Sequence, residues 1–122
     1  MGYCMYMQDS SFKIISANKD KALALLKKFV EDKERMYWVI PSMVMHADNL
    51  TDAIEECRWI VEEDNDGNIV SIEFTGDKLG EDEQIFNAIA PAVENDSYIK
   101  MEGENGEIWK WVFNNGKCKE EY

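Results

Sequence analysis

The chain reads as an α+β protein: a mostly antiparallel sheet built from hairpins, with two or three helices packed on one face. Three observations predict this. Residues 19–32 repeat apolar side chains at helical spacing without a glycine or proline. Two further stretches alternate apolar and polar residues on either side of turn sequences, one at Asp66-Gly67 and one at Asn105-Gly106. These strand segments come as adjacent pairs, which excludes the alternating strand–helix order of a dinucleotide-binding fold. At 122 residues, 45 % of them hydrophobic, the chain has the length of one domain, residues 1–122, and enough apolar side chain for a core.

In chain order, residues 3–7 and 12–15 read as β, divided by the polar Gln8-Asp9-Ser10-Ser11. They form either a hairpin or one strand with a bulge. Asn18 is placed as the N-cap of the helix over 19–32, in which Ala22, Leu23, Leu26, Phe29 and Val30 line one face. Lys19, Lys27, Lys28 and Glu31 line the other. Residues 36–40 are expected to form a short strand stopped by Pro41, because proline cannot donate to a ladder. Residues 42–49 read as irregular, with Met43, Met45 and the one histidine, His46. Asn49 or Thr51 caps a second helix reaching Cys57, with Leu50, Ala53, Ile54 and Cys57 as its apolar seam.

Strands 58–63 and 69–74 flank Asp64-Asn65-Asp66-Gly67-Asn68. A two-residue Asp66-Gly67 loop would set Trp59 against Phe74, Val61 against Ile72 and Glu63 against Val70 on one face. Arg58, Ile60, Glu62, Ser71 and Glu73 then take the outer face. Residues 76–80 turn into a third helix over 81–90, whose first turn is acidic as the helix dipole favours. Its core stripe is Ile85, Phe86, Ile89 and Ala90, and Pro91 stands at its end. Strands 97–102 and 107–114 meet through a three-residue loop with Gly106 in the left-handed region. That register gathers Ile99, Met101, Trp109, Trp111 and Phe113 on one face, where a two-residue loop would scatter them. Asn115-Gly116 turns into a short edge strand over 117–119.

Charge is unevenly spread. Residues 1–61 hold nine acids and eight bases, whereas residues 62–122 hold sixteen acids and five lysines, so the second half carries most of the net charge of −12. Such a surface repels nucleic acid and anionic membrane and attracts basic partners. Disordered acidic chains are poor in aromatics, and this one has four Trp, five Tyr and five Phe. No apolar run approaches the roughly eighteen residues that span a bilayer. The opening Met1-Gly2-Tyr3-Cys4-Met5-Tyr6-Met7 lacks a basic n-region and a cleavage site, and Tyr6 stands where a myristoylation signal needs Ser or Thr. A cytoplasmic location is therefore expected. Cys4, Cys57 and Cys118 are too sparse for a disulfide framework or a zinc site and read as reduced thiols, Cys57 buried on its helical seam.

Few motifs in the chain could carry chemistry, and each has a simpler structural explanation. With Gly67 as the sixth position of a calcium loop, Glu62, Asp64, Asp66 and Glu73 fall near ligand positions. The flanks alternate like strands, however, and a hairpin accounts for the same residues. Glu55-Glu56, Glu62-Glu63 and Glu81-Asp82-Glu83 read as solvated charge. His46 has no nearby nucleophile and acid to make it a base. Thr75-Gly76-Asp77-Lys78-Leu79-Gly80 lacks the spacing of a phosphate loop, and the acids after it would repel a phosphate. Trp109, Trp111 and Phe113 form an aromatic row, but Glu102, Glu104 and Glu107 beside it argue for core packing over base stacking. The residues thus predict no catalytic, cofactor or metal site, and no enzyme.

Several stretches resemble a group of small acidic, uncharacterised proteins of bacteria and their phages or mobile elements. They are Asp66-Gly67-Asn68-Ile69-Val70, Phe74-Thr75-Gly76-Asp77-Lys78-Leu79-Gly80, Phe86-Asn87-Ala88-Ile89-Ala90-Pro91, Ser97-Tyr98-Ile99 and Gly106-Glu107-Ile108-Trp109-Lys110-Trp111-Val112-Phe113. The resemblance covers about residues 58–118 and the opening Met1-Gly2-Tyr3. It implies a shared fold unit and a mobile-element setting, and it transfers no catalytic residue. Proteins of this kind are similar to inhibitors of host defence, such as anti-CRISPR and anti-restriction proteins. The expected partner is a basic protein or a nucleic-acid-binding complex, met by a monomer or small homo-oligomer; the alternatives are an accessory domain that docks a protein through a sheet edge or the Met-rich loop, and a small enzyme with a carboxylate or Cys site that no motif reveals. The expected contacts are exposed carboxylates on the two hairpins and the third helix start: Glu62, Glu73, Asp77, Glu81, Asp82, Glu102, Glu104 and Glu107.

Overall fold

The structure, a computed structural model, describes residues 2–122. Strand β1 (Met5–Ser11) leads through a 3-10 turn at Ser16–Asn18 into helix α1 (Lys19–Val30), and helices α2 (Pro41–Met45) and α3 (Leu50–Glu56) follow. Strands β2 (Trp59–Glu63) and β3 (Ile69–Phe74) form a hairpin, and α4 (Asp82–Ile89) ends in a 3-10 turn at Ala90–Ala92. Strands β4 (Ser97–Gly103), β5 (Ile108–Asn114) and β6 (Lys117–Glu121) close the chain. The strands make a four-stranded antiparallel sheet in the order β1-β4-β5-β6 and a two-stranded ribbon β2-β3. This is the α+β architecture expected, with helices packed against the sheet.

The β4–β5 register is the one its apolar pattern demands. Ile99 faces Trp111 and Met101 faces Trp109, and all four are buried with Phe113. Gly106 sits at φ 88°, closing a three-residue loop in which Gly106 N–H donates to the Gly103 carbonyl. The β2–β3 loop takes the same form, with Gly67 at φ 81° and its N–H donating to the Asp64 carbonyl. The expected two-residue loop is therefore wrong by one residue. Asp64 decides this: its carboxylate accepts from the backbone N–H groups of Asp66 and Asn68 and from the Asn68 side chain, winding the loop around itself. Trp59 still pairs with Phe74 and Val61 with Ile72, but Glu63 faces Ile69, because Val70 is extruded as a bulge. Ile69 turns inward and is buried, while Val70 is 43 % exposed.

Three other expectations change. Residues 12–15 do not form a strand. β1 is one strand with a bulge at Gln8, and Ile14 alone bridges to Ile69, exchanging two backbone hydrogen bonds of 2.8 and 3.0 Å. Residues 36–40 do not form a strand either. Met36 and Val39 point inward, three residues apart, and Pro41 occupies the first turn of α2, where its missing N–H costs nothing. The segment is instead tied to the loop before α4, with the Tyr37 N–H on the Glu81 carboxylate and the Trp38 indole on the Leu79 carbonyl. Arg58 is not an outer strand residue: it precedes β2, in the left-handed region at φ 73°. Asn49 caps α3 as expected, its side chain accepting from the Asp52 N–H.

A single apolar cluster lies between the helices and the inner sheet face. Trp59, Phe86 and Trp111 meet edge-on at its centre, with ring centroids 5.0 to 6.2 Å apart. Trp111→Ala should cost about 3–5 kcal/mol in chemical denaturation. The bulge makes a sharper test. Ile69→Ala should cost about 2–5 kcal/mol and Val70→Ala less than about 1 kcal/mol. Equal losses at the two positions would remove the bulge from the register.

Candidate functional site

The site is built around a buried ion pair at the start of α4. Asp82 is fully buried, and its carboxylate accepts from Arg58 Nη2 at 3.0 and 3.2 Å, from the Trp59 indole N–H at 2.9 Å and from the Gly80 N–H at 2.9 Å. Arg58 also donates to the Lys78 carbonyl and lies over the Phe74 ring. It adopts φ 73°, a left-handed conformation that costs a non-glycine residue about 1–2 kcal/mol. The conformation carries the guanidinium away from the strand face and onto Asp82. Asp82 was expected among the exposed partner contacts and is not one of them. The sequence holds a signal for this: Asp82 shares the helical stripe of Ile85, Phe86 and Ile89, three, four and seven residues on.

Beside this ion pair the fold leaves a cleft of about 510 Å³, lined by Tyr3, Leu79, Gly80, Glu83, Gln84, Glu107, Trp109, Trp111, Glu120 and Tyr122. Four separate stretches meet there: the N-terminal segment, the loop into α4 with the first turn of that helix, β5 with its hairpin, and the end of the chain from β6. The backbone ties them, since Leu79 N–H donates to the Tyr3 carbonyl and Met5 N–H to the Asp77 carbonyl. Gly103 is required for the closure, because a Cβ there would overlap the Tyr3 hydroxyl and come within 2.7 Å of Glu107 Oε1.

The cleft chemistry is acidic and aromatic. Glu83 and Glu120 share a hydrogen bond, which with burial and mutual repulsion holds the Glu83 carboxyl above its ordinary value of 4.5. The Tyr122 hydroxyl donates to Glu120 at 2.6 Å, and that bond raises the phenol in turn. Glu107 supplies a third carboxyl group. No lysine or arginine lines the cleft. Trp109 and Trp111, 4 % and 1 % exposed, are core residues as expected but also form cleft wall, stacked edge-on at 5.9 Å. Among the described residues four buried side-chain polar atoms are unpaired, and three belong to this wall: the Tyr3 hydroxyl and the two indole nitrogens. These three donors are enclosed by protein behind the cleft surface and carry no accessible area.

The carboxylates expected as partner contacts are only partly brought together. Glu107 lines the cleft, while Glu62 and Glu73 lie on the outer face of the β2–β3 ribbon. Asp77 is exposed, and Glu104 caps the N-terminal segment by accepting from the Cys4 N–H at 2.6 Å. Glu81 is half-buried against Tyr37, and Glu102 is engaged by the Gln8 amide on the outer sheet face. Glu83, Glu120, Tyr3 and Tyr122 were not foreseen, because nothing local links positions so far apart.

The lysines segregate to the opposite side. Of the five in residues 62–122, Lys100, Lys110, Lys117 and Lys119 occupy the outer face of the four-stranded sheet, where Lys110 lies over the Tyr98 ring. Glu120 and Cys118 alternate with them onto the inner face. All three cysteines are free, and burial pushes the Cys57 and Cys118 thiols up to about 12, leaving them unsuited to act as nucleophiles at neutral pH. His46 is exposed, its Nδ1 2.7 Å from the Ser42 carbonyl. Comparison with models of protein families, with curated proteins and with solved structures finds no match. Among the described residues, no helix is long and apolar enough to cross a membrane.

Asp82→Ala strands the Arg58 charge, which is 15 % exposed, and should cost about 3–5 kcal/mol in denaturation. A loss under about 1 kcal/mol would show that the ion pair does not hold α4. A carboxyl whose folded pKa is raised lends stability that is complete below its ordinary value and lost as pH rises through the folded one. Glu83→Gln keeps the neutral hydrogen-bonding form throughout. Its melting temperature should exceed the parent's near neutral pH, with the gap closing below pH 4.5. A constant gap across that range would separate Glu83 from Glu120.

Proposed function

We propose that this is a non-enzymatic, cytoplasmic protein that binds a basic macromolecular partner through its carboxylates. The partner class is a basic protein or a nucleic-acid-binding complex, in the manner of a phage or mobile-element inhibitor of a host defence enzyme that handles nucleic acid. The observation that supports this best is the segregation of charge. Among the described residues only three ion pairs form, against twenty-five acids in the chain, and four of the second half's five lysines lie on the outer sheet face, away from the cleft carboxylates. Uncompensated carboxylates raise the rate of encounter with a basic surface and can occupy a channel built for phosphates. The same field opposes direct binding of nucleic acid or of an anionic membrane.

A second reading has its own support. Tyr37, Trp38, Ile40, Met43 and Met45 leave large apolar side chains exposed along one segment, with Tyr37 at 80 % and Ile40 at 64 %. Such a segment suits docking of a protein partner, and methionine adapts to irregular surfaces.

Affinity capture from a bacterial host lysate, followed by mass spectrometry, tests both. One nucleic-acid-handling complex should be retained at low salt and released steeply as screening shortens from about 10 Å at 0.1 M to about 3 Å at 1 M. Reversing Glu62, Glu73, Asp77 and Glu104 to lysine should abolish retention. Retention that survives those changes but is lost in Met43→Ala/Met45→Ala would select the second reading. Absence of any salt-sensitive partner would overturn the first.

A further inference from the structure

Helices α2 and α3 pack against each other and present an apolar ridge beside an acidic one. Val44 turns inward from α2 and is fully buried. Ile40 at the helix start and Met43 three residues on stay outside, 64 % and 47 % exposed. The backbone that carries them is pinned on its approach. Tyr37 N–H donates to the Glu81 carboxylate at 3.0 Å, and the Trp38 indole to the Leu79 carbonyl at 3.3 Å. Between the two helices lies a hollow of about 230 Å³. Met43 lines it from α2, while Asp52, Glu55 and Glu56 line it from α3 and Asp48 from the connection. Glu55 and Glu56 stand three and four residues after Asp52, where like charges on a helix repel. Among the described residues none of these acids forms an ion pair, and no lysine or arginine lines the hollow. His46 lines it too, with its Nδ1 2.7 Å from the Ser42 carbonyl.

An occupant of this groove has to answer both ridges. A simple cation would meet the carboxylates and leave Ile40 and Met43 in water. A neutral apolar helix would cover those two and leave the carboxylates without a partner, and an acidic one would be repelled. A strand added by backbone pairing needs a free sheet edge, which two helices do not offer. A basic amphipathic helix meets every requirement: its apolar stripe lies on Ile40 and Met43, and the lysines or arginines beside that stripe reach Asp48, Asp52, Glu55 and Glu56. The unbranched thioether of Met43 adapts to whichever apolar side chain arrives. We propose that the α2–α3 groove docks a basic amphipathic helix of a partner protein. This rests on the reading in which the exposed segment docks a protein, and it names the element by which that partner is held.

The test uses the full chain and a synthetic peptide of about sixteen residues, roughly four turns, with leucine at helical spacing and lysine and arginine elsewhere. One control scrambles that composition to abolish the stripe, and a second keeps the stripe with glutamine at each basic position. Methionine methyl resonances give the readout: Met43 reports on the groove, and the buried Met5 and Met101 report on the fold. At about 0.15 M salt the peptide should shift the Met43 signal with a dissociation constant on the order of 10 μM. Each control should bind at least about tenfold more weakly. Glu55→Gln/Glu56→Gln should weaken the peptide about three- to tenfold and flatten its salt dependence, with the Met5 and Met101 signals in place. Ile40→Ser should weaken it about tenfold through lost apolar contact. Equal binding of either control, or a Met43 signal that does not move, would overturn the proposal. A Met43 signal that shifts on concentrating the free protein, and not with peptide, would give the surface to a second copy and overturn it as well. Peptide binding absent while lysate capture still depends on Met43 and Met45 would overturn the helix and leave the docking segment. Peptide binding at Met43 with capture indifferent to both methionines would support the groove's preference and overturn the docking reading on which it rests.

Discussion

The Asp82 carboxylate is the point on which the arrangement of this fold depends. It is buried in an otherwise apolar region and is acceptable there only because four hydrogen bonds from three residues converge on it. Those residues come from different parts of the chain. Arg58 stands at the junction of α3 and β2, Trp59 opens β2, and Gly80 lies in the loop before α4. One side chain thus fixes the ribbon, the loop and the helix relative to each other. The strain of Arg58 at φ 73° is tolerable because this pairing offsets it. Two further ties complete the frame: the Ile14–Ile69 bridge joins the ribbon to the segment after β1, and Trp59 packs on Phe86 and Trp111.

The cleft inherits its geometry from that frame. Gly80 and Glu83 flank Asp82 in sequence and line the cleft, so the buried carboxylate that anchors the helix also aims its exposed neighbour. Alternation along the strands does the rest. β5 sends Trp109 and Trp111 inward and Lys110 outward, and β6 sends Glu120 inward and Lys119 and Glu121 outward. The two-residue period of a strand thus puts Glu120 on the inner face, while Lys100, Lys110, Lys117 and Lys119 share the outer face with Glu102 and Glu121.

Local rules made most of the fold legible in the sequence. Helix α1, helix α3 with its Asn49 cap, the stripe of α4 and the β4–β5 register all follow from periodicity and turn chemistry. The failures have physical causes. Residues 36–40 have strand-like composition but inward positions three apart, and their hydrogen bonds go to a distant loop. The β2–β3 loop took a form set by the Asp64 side chain, which propensity for Asp-Gly alone does not weigh. The candidate site was barely legible: Glu107 was expected as a contact and Trp109 and Trp111 as core, whereas Tyr3, Glu83, Glu120 and Tyr122 meet through tertiary structure only. Asp82 satisfies two rules at once, an acid in the first turn of a helix and a position on the apolar stripe, and burial follows the second.

The pairing of a stabilising and a destabilising carboxylate at adjacent positions is what separates this cleft from ordinary acidic surface. Asp82 is neutralised by Arg58 and serves the fold. Glu83, one residue on, meets Glu120 instead, and two carboxyl groups sharing a site oppose each other's ionisation. An exposed acid with no task beyond solubility has no need to sit against another acid, since a turn of the side chain into water would relieve it. Here the Tyr122 hydroxyl donates to Glu120, and Glu83 lies in the first turn of α4. Ionising both acids is therefore disfavoured in the folded chain, and the contact is relieved only when one of them takes up a proton.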